Sequence, residues 1–220
     1  MKDDWSRPLA VANSGMPTLN SYALVAYLRG PLADFVDNLR RDITPGCTHR
    51  AHITVLPPRP LAGGVEEAIA HCEHILRKTK PFDVRAGAVS LFDTSEVIKL
   101  SVDAGAEQLR DLHDELNQGP LRHAEKFAYE PHITLAQDVA TKQLQDCLCR
   151  AQDAWRKIGP AATFALSVCT FVQEVKCDCW SDLATVQLGV RNGSTPPVTN
   201  GASRVVAPRT ATGHTPTARR

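Results

Sequence analysis

The chain has 220 residues, 43% of them hydrophobic and 22% charged, with a net charge of +1. That is enough apolar material for one large domain or two small ones, and no apolar run reaches the ~20 residues that a bilayer-crossing helix needs. Residues 191–220 hold five Arg and no acid, leaving 1–190 with 20 basic against 24 acidic side chains; such a mildly acidic body excludes a protein that grips long nucleic acid by its phosphates.

The N-terminus "MKDDWSRPLAVANSG" is charged and lacks the apolar segment of a signal peptide, so a soluble cytoplasmic protein is expected. Residues 1–17 show no periodicity and are expected to be loose. "SYALVAYLR" then reads as a strand, and "PLADFVDNLRRDI" as a helix opened by Pro31 with Leu32, Phe35, Val36 and Leu39 on one stripe. "RAHITVL" is a strand that Pro57 and Pro58 are expected to stop. "GVEEAIAHCEHILRKTK" is a helix turning Val65, Ala68, Ile69, Cys72, Ile75 and Leu76 inward, with Pro81 as its end. "FDVRAGAVSLF" and "VIKLSVD" are strands joined by a turn at "DTSE". The helix "AEQLRDLHDELN", the strand "YEPHITLAQ" and the helix "TKQLQDCLCRAQDAWRK" follow. "TFALSVCTFVQEV" and "CWSDLATVQLG" read as one strand each. From residue 191 the Gly, Pro, Ser and Thr content predicts a disordered basic tail, so the folded domain is expected at 18–190. Both halves of that domain read strand, helix, strand, helix, strand, which suggests two related lobes meeting at a cleft.

The third element of each half carries the same three letters, His52-Ile53-Thr54 and His132-Ile133-Thr134. With 8 His, 7 Ile and 17 Thr in the chain, shuffling would give roughly 0.02 copies of that tripeptide. Either copy alone is an ordinary amphipathic strand with a surface His. Two copies on matching elements call for more. Side chains alternate along a strand, so Ala51, Ile53 and Val55 share one face and Arg50, His52 and Thr54 the other. In the second copy Pro131, Ile133 and Leu135 oppose His132 and Thr134. Each His then stands about 7 Å from its Thr along one face.

Those residue types suit phosphodiester chemistry. Opening such a bond near neutrality requires a proton taken from the attacking oxygen and one given to the departing oxygen. A neutral and a protonated imidazole on opposite sides of phosphorus do both. Two Thr hydroxyls can meanwhile donate to the non-bridging oxygens. The residues leave open which His is acid and which is base, because the orientation of the bound ester decides it.

At these positions the sequence resembles the 2H phosphoesterase superfamily, whose two H-x-[ST]-x motifs read here His52-Ile53-Thr54-Val55 and His132-Ile133-Thr134-Leu135. It is most similar to the bacterial branch of 2′-5′ RNA ligase and cyclic phosphodiesterase-like proteins. The resemblance covers about 18–190. It implies an α+β, bilobal fold: two pseudo-symmetric lobes, antiparallel sheets flanking a central cleft, helices outside and one motif per lobe. It also implies His52 and His132 as catalytic pair and Thr54 and Thr134 as phosphate-holding hydroxyls, without metal or other cofactor. The expected activity is cleavage of 2′,3′-cyclic phosphate or 2′-5′ phosphodiester bonds in RNA-derived nucleotides, or the reverse ATP-independent ligation. The expected partner is a small nucleotide or RNA end bearing a cyclic phosphate, met by a monomer away from membranes. The alternative is an RNA-end binding protein on the same fold with negligible turnover. Arg50 and Tyr129 adjoin the motifs and are candidates for nucleoside contact.

Other features point elsewhere and fail. Neither segment has the further alternating His of a histidine-triad hydrolase. Lys176-Cys177-Asp178-Cys179 lacks the Gly of a K-x-D-G ligase motif, and no phosphate-binding G-x-x-x-x-G-K-[ST] loop is present. Seven cysteines, an odd number, read as reduced thiols. Cys147 and Cys149 diverge around a helix, and Cys177 with Cys179 supply too few ligands for zinc. His71 and His74 share a helix face as solvated side chains.

Overall fold

Two four-stranded antiparallel sheets are built from strands that the chain visits out of order. The computed structural model describes residues 19–189 apart from 46, 48, 93–94 and 159–161. The expected loose segment 1–17 and basic tail 191–220 lie outside the described residues. The elements run β1 (Tyr22–Tyr27), α1 (Gly30–Ile43), β2 (His52–Arg59), α2 (Val65–Leu76), β3 (Phe82–Phe92), β4 (Ser95–Ala104), α3 (Ala106–Leu116), β5 (His132–Ala136), α4 (Thr141–Ile158), β6 (Thr163–Leu166), β7 (Val168–Lys176) and β8 (Cys179–Gln187). One sheet has the order β2-β1-β7-β8 and the other β5-β4-β3-β6. In both, the motif strand is the edge and pairs antiparallel with the strand that precedes its own helix: Tyr27 opposite His52, Ser101 opposite His132. The α+β architecture of two pseudo-symmetric lobes is therefore as the element order predicts.

The lobes are not the two halves of the sequence. β3, the last element of the first half, joins the second sheet, and β7 and β8 cross back to complete the first. The stretch expected as one strand from Thr163 to Val175 breaks at Ser167, with β6 pairing to β3 and β7 pairing to β1. Ser167 accepts a backbone hydrogen bond from Leu188 at 2.9 Å. The break is the crossover between lobes.

β2 also departs from expectation by running through Pro57 and Pro58 to Arg59. Proline removes a ladder donor, which matters only where a strand has neighbours on both sides. β2 has one neighbour, and its register with β1 slips between Tyr22↔Arg59 and Leu24↔Leu56 to accommodate the prolines. The second helix ends at Leu76, before Pro81, where Lys78 and Thr79 close onto the carbonyls of Ile75 and Leu76.

Periodicity describes the helix faces well. Leu32, Val36, Leu39 and Ile43 are buried on α1, Ala68, Cys72, Ile75 and Leu76 on α2, and Leu109, Leu112 and Leu116 on α3. At the start of α3, Gly105 has φ +85°, and a Cβ there would stand 2.7 Å from the Asp83 carbonyl oxygen, so only glycine fits this turn. α1 packs on β5 of the other lobe and α3 packs on β2, so each helix reaches across the seam.

The apolar faces of both motif strands enter one core. Ala51, Ile53, Val55, Ile133 and Leu135 are each at most 2% exposed and belong to the same cluster. Burying the Ile, Val and Leu side chains among them is worth roughly 1.5–3 kcal/mol each, and a one-residue slip would exchange them for the His and Thr. The register that fills the core therefore turns the motif side chains away from it.

Candidate active site

His52 and His132 are held the same way. The Nδ1 of His52 is 2.7 Å from the Arg50 carbonyl oxygen, and the Nδ1 of His132 is 2.7 Å from that of Glu130. A carbonyl only accepts, so in each ring Nδ1 carries a proton and donates it. Nε2 is left as the atom that gives or takes a proton, and the carbonyl fixes the ring plane. Thr54 and Thr134 lie on the same faces as their histidines and are, like them, half-buried. The structure thus places the four motif residues on β2 and β5, which pack against each other.

Hydrogen bonds cross between the two motifs. Arg40 of α1 donates through Nε and Nη2 to the Thr134 carbonyl at 2.8 and 2.5 Å, and through Nη1 to the Arg50 carbonyl at 3.1 Å. The Tyr129 hydroxyl donates to the Thr54 carbonyl at 2.8 Å. His132 and Arg40 lie close enough to His52 for their charges to act on it.

Both imidazoles are held below their ordinary value. Burial pushes His52 down to about 4; the Arg50 carbonyl opposes this, and the charges of Arg40, His49 and His132 add to it. His132 is lowered by burial first; the Glu130 carbonyl opposes, Lys99 lowers it further and the Glu130 carboxylate pulls it back. Each ring also has an aromatic neighbour with a cation on its face. Tyr27 meets His52 edge-on at 6.3 Å between centroids, with the Arg50 guanidinium 3.6 Å from the Tyr27 centroid. Phe92 meets His132 edge-on at 4.7 Å, with the Lys99 ammonium 3.9 Å from the Phe92 centroid. Each cation has an acid beside it, Asp182 for Arg50 at 3.4 Å and Glu130 for Lys99. Tyr27 donates to Asp182 at 2.6 Å, and its phenol is pushed up to about 12 by burial and by that carboxylate, so it stays protonated.

The two candidates for nucleoside contact separate. Arg50 is exposed beside His52 and lines a 160 Å³ cavity with Tyr27, Thr170, Asp182 and Thr185. Tyr129 turns inward, its ring stacked on the buried His113 with centroids 4.2 Å apart and its hydroxyl bonded to the Thr54 carbonyl, so both ends of the side chain are engaged within the protein. A larger cavity of 420 Å³ lies between Lys78–Phe82 and α3 and includes none of the motif residues.

Family comparison agrees with the geometry. A family model described as the 2′-5′ RNA ligase superfamily matches residues 30–168, a stretch holding both motifs. The chain belongs to that superfamily. Among relatives, a protein of Oceanobacillus iheyensis bearing the name Putative phosphoesterase is 32% identical over 89 residues, which are 40% of this chain and 52% of that protein. The chain thus spans about half the length of that relative. A like-named protein of Geobacillus thermodenitrificans is 25% identical over 134 residues, 57% of this chain and 73% of the relative. In fold, the crystal structure of E. coli LigT complexed with NADP+ matches with a TM-score of 0.56 at 15% identity, covering 78% of this chain and 99% of LigT. TT0787 of Thermus thermophilus matches with a TM-score of 0.56 at 17% identity, covering 77% of this chain and 98% of that one.

Within this superfamily member, sequence reasoning missed Arg40, Lys99, His113 and Glu125. Arg40 had a visible signal, a charge on the inward stripe of α1 between Val36 and Ile43. Lys99 had a weaker one, alternating with Ile98 and Leu100 on β4. All seven cysteines are free thiols, with Cys147 buried and Cys149 exposed as helical spacing predicts. His71 departs from expectation, since its ring is half-buried with Nε2 3.3 Å from the Leu116 carbonyl, while His74 is exposed beside Lys78.

Proposed function

We propose that the protein is a phosphoesterase that opens 2′,3′-cyclic phosphate or 2′-5′ phosphodiester bonds of RNA-derived nucleotides by paired imidazole acid–base catalysis. The observation that carries this reading is the matched pair of His-x-Thr strands, one from each lobe, with both Nδ1 atoms engaged and both Nε2 atoms left for proton transfer. One Nε2 takes a proton from the attacking water as its oxygen bonds to phosphorus. The other Nε2 delivers a proton to the ribose oxygen as the P–O bond to it breaks, so a cyclic phosphate and water become a phosphomonoester. Thr54 and Thr134 donate to the non-bridging oxygens, where charge builds up. With a 5′-hydroxyl in place of water the same transfers join two RNA ends. The nucleotide ligands named for proteins of this fold, 3′-AMP with E. coli LigT and uridine monophosphate with Kluyveromyces marxianus Usb1, support a nucleotide substrate.

The test is direct. Incubation with each 2′,3′-cyclic mononucleotide in EDTA is expected to release the phosphomonoester. A second reading, an RNA-end binding protein without turnover, is favoured by one observation: both imidazoles are lowered, which leaves little imidazolium at neutral pH before a ligand enters. Binding of the cyclic nucleotide with no product would establish that reading in place of the first.

The lowered imidazoles set the pH dependence. Turnover needs one ring neutral and the other protonated, and the free protein governs kcat/KM. With His52 at about 4 and His132 also below its ordinary value, both limbs of the bell lie on the acidic side. Raising the pH strips the acid of its proton, so kcat/KM is expected to peak below about pH 6.5, the unperturbed imidazole value, and to fall above it. A bound phosphate anion favours imidazolium, so the kcat optimum should stand at higher pH. A kcat/KM that climbs steadily from pH 5 to 9 would contradict the pairing.

A further inference from the structure

Arg40 is a guanidinium on a stripe where α1 otherwise buries Leu32, Val36, Leu39 and Ile43, and it is 4% exposed. A charge in such a place is costly unless its donors are satisfied and a partner offsets it. Among the described residues its hydrogen-bond partners are backbone carbonyls: Thr134 by way of Nε and Nη2, Arg50 by way of Nη1, and His49 from the same Nη1 at 3.3 Å. Asp37, one turn earlier on the same face, accepts the Ala51 backbone N–H at 2.7 Å. One face of α1 therefore holds the residues leading into the first motif and the middle of the second.

The other lobe does the reverse. Tyr129 lies just ahead of the second motif, its ring stacked on His113 of α3 with planes 4° apart, and its hydroxyl donates to the Thr54 carbonyl. Each motif threonine thus has its carbonyl held by a donor from the opposite half of the chain. The Arg50 carbonyl taken by Arg40 is the one that also receives the His52 Nδ1–H.

We propose that Arg40 and Tyr129 are positioning residues that form a reciprocal clamp, setting the span between the two imidazoles across the phosphorus. The inference rests on the phosphoesterase reading above. Apolar packing alone joins two sheets without direction and tolerates sliding. Hydrogen bonds to chosen carbonyls fix the strands both along and across the seam. The planar fork of Arg40 reaches carbonyls on both sides at once, which the single ammonium of lysine cannot reproduce. A misplacement of about 1 Å can cost on the order of 10²-fold in rate.

Arg40 is also an electrostatic neighbour of His52. The groups facing that ring are Arg40 from α1, His49 and Arg50 from the segment before β2, His132 from β5 and Tyr27 from β1. The Arg40 charge disfavours the imidazolium, so removing it moves the His52 limb of the pH profile upward.

The experiment compares wild type with Arg40→Lys, Arg40→Met and Tyr129→Phe, measuring kcat, KM and the pH profile on a 2′,3′-cyclic mononucleotide together with urea midpoints. Tyr129→Phe keeps the ring on His113 and deletes only the hydroxyl, so it tests the clamp in a folded protein. Expected are a fall in kcat of about 10- to 100-fold for Arg40→Lys and about 10-fold for Tyr129→Phe, with KM changed by less than about threefold. Arg40→Met should also shift the acidic limb of kcat/KM upward. Variants that lose stability but keep wild-type kcat and pH profile overturn the clamp, as does a loss confined to KM. A wild-type protein without turnover overturns the phosphoesterase reading and the clamp with it, whereas active wild type with unchanged variants overturns the clamp alone.

Discussion

His52→Ala and His132→Ala are each expected to reduce kcat on a 2′,3′-cyclic nucleotide by about 10³–10⁴-fold, while the protein stays folded. Removing one general acid or base typically forfeits about 10²–10⁴-fold, and here the remaining ring can neither take nor give the second proton. The double variant should be barely worse than either single one, because the two rings act as a unit. Stability should hardly change. Each ring gives one hydrogen bond to the segment just before its strand, at a carbonyl two residues back, and a net bond of that kind is worth about 1 kcal/mol. Thr54→Val or Thr134→Val should cost less, about 10- to 100-fold, since one donor to a charged oxygen is lost and the proton transfers remain. Kinetics on the purified variants, with circular dichroism to check folding, decides the matter. A His52→Ala protein that retains a tenth of the activity would remove that residue from the chemistry.

Arg59→Met is the largest expected loss of stability. The Arg59 side chain is 1% exposed and that of Glu125 15%, with Nη2 to Oε1 at 2.5 Å. Nη1 donates to the Asn117 side chain at 2.7 Å and the Leu121 carbonyl at 3.0 Å, and Nε to the Pro57 carbonyl at 2.9 Å. Glu125 is shared with His113, whose Nε2 is 2.9 Å from the same oxygen. The network fastens the end of β2 to the segment that runs from α3 toward the second motif. Taking out the guanidinium leaves a mostly buried carboxylate without its cation, which costs about 3–5 kcal/mol. At about 2–4 °C per kcal/mol for a chain of this size, Tm should fall by roughly 6–20 °C. Adding Glu125→Gln should recover part of the loss, because no orphaned charge remains. Urea midpoints for both variants test this, and an Arg59→Met protein as stable as wild type would show the network to be dispensable.

Legibility differed sharply between residues. The helix stripes through Leu109, Leu112 and Leu116, and the alternation of Ile53 and Val55 against His52 and Thr54, could be read because they are local periods imposed by backbone geometry. Repetition of His-Ile-Thr added a long-range statement, that two strands have equivalent surroundings. Tyr129 was legible only as an aromatic near a motif. Its direction depends on His113 and Thr54, which approach it from distant parts of the chain. Pro57 and Pro58 stop a strand only if both of its sides are paired, and the edge position of β2 is a property of the sheet.

By itself, then, the order of residues determined the type of nearly every element, the outward face of each motif strand and the four side chains to watch. Tertiary structure alone decided that β7 and β8 return to the first sheet, that β2 and β5 lie side by side, and that Arg40 spans them. The reason is physical. Periodicity records which side of an element avoids water, whereas a partner across a seam is chosen by the shape and hydrogen-bonding needs of surfaces that exist only once the chain has folded.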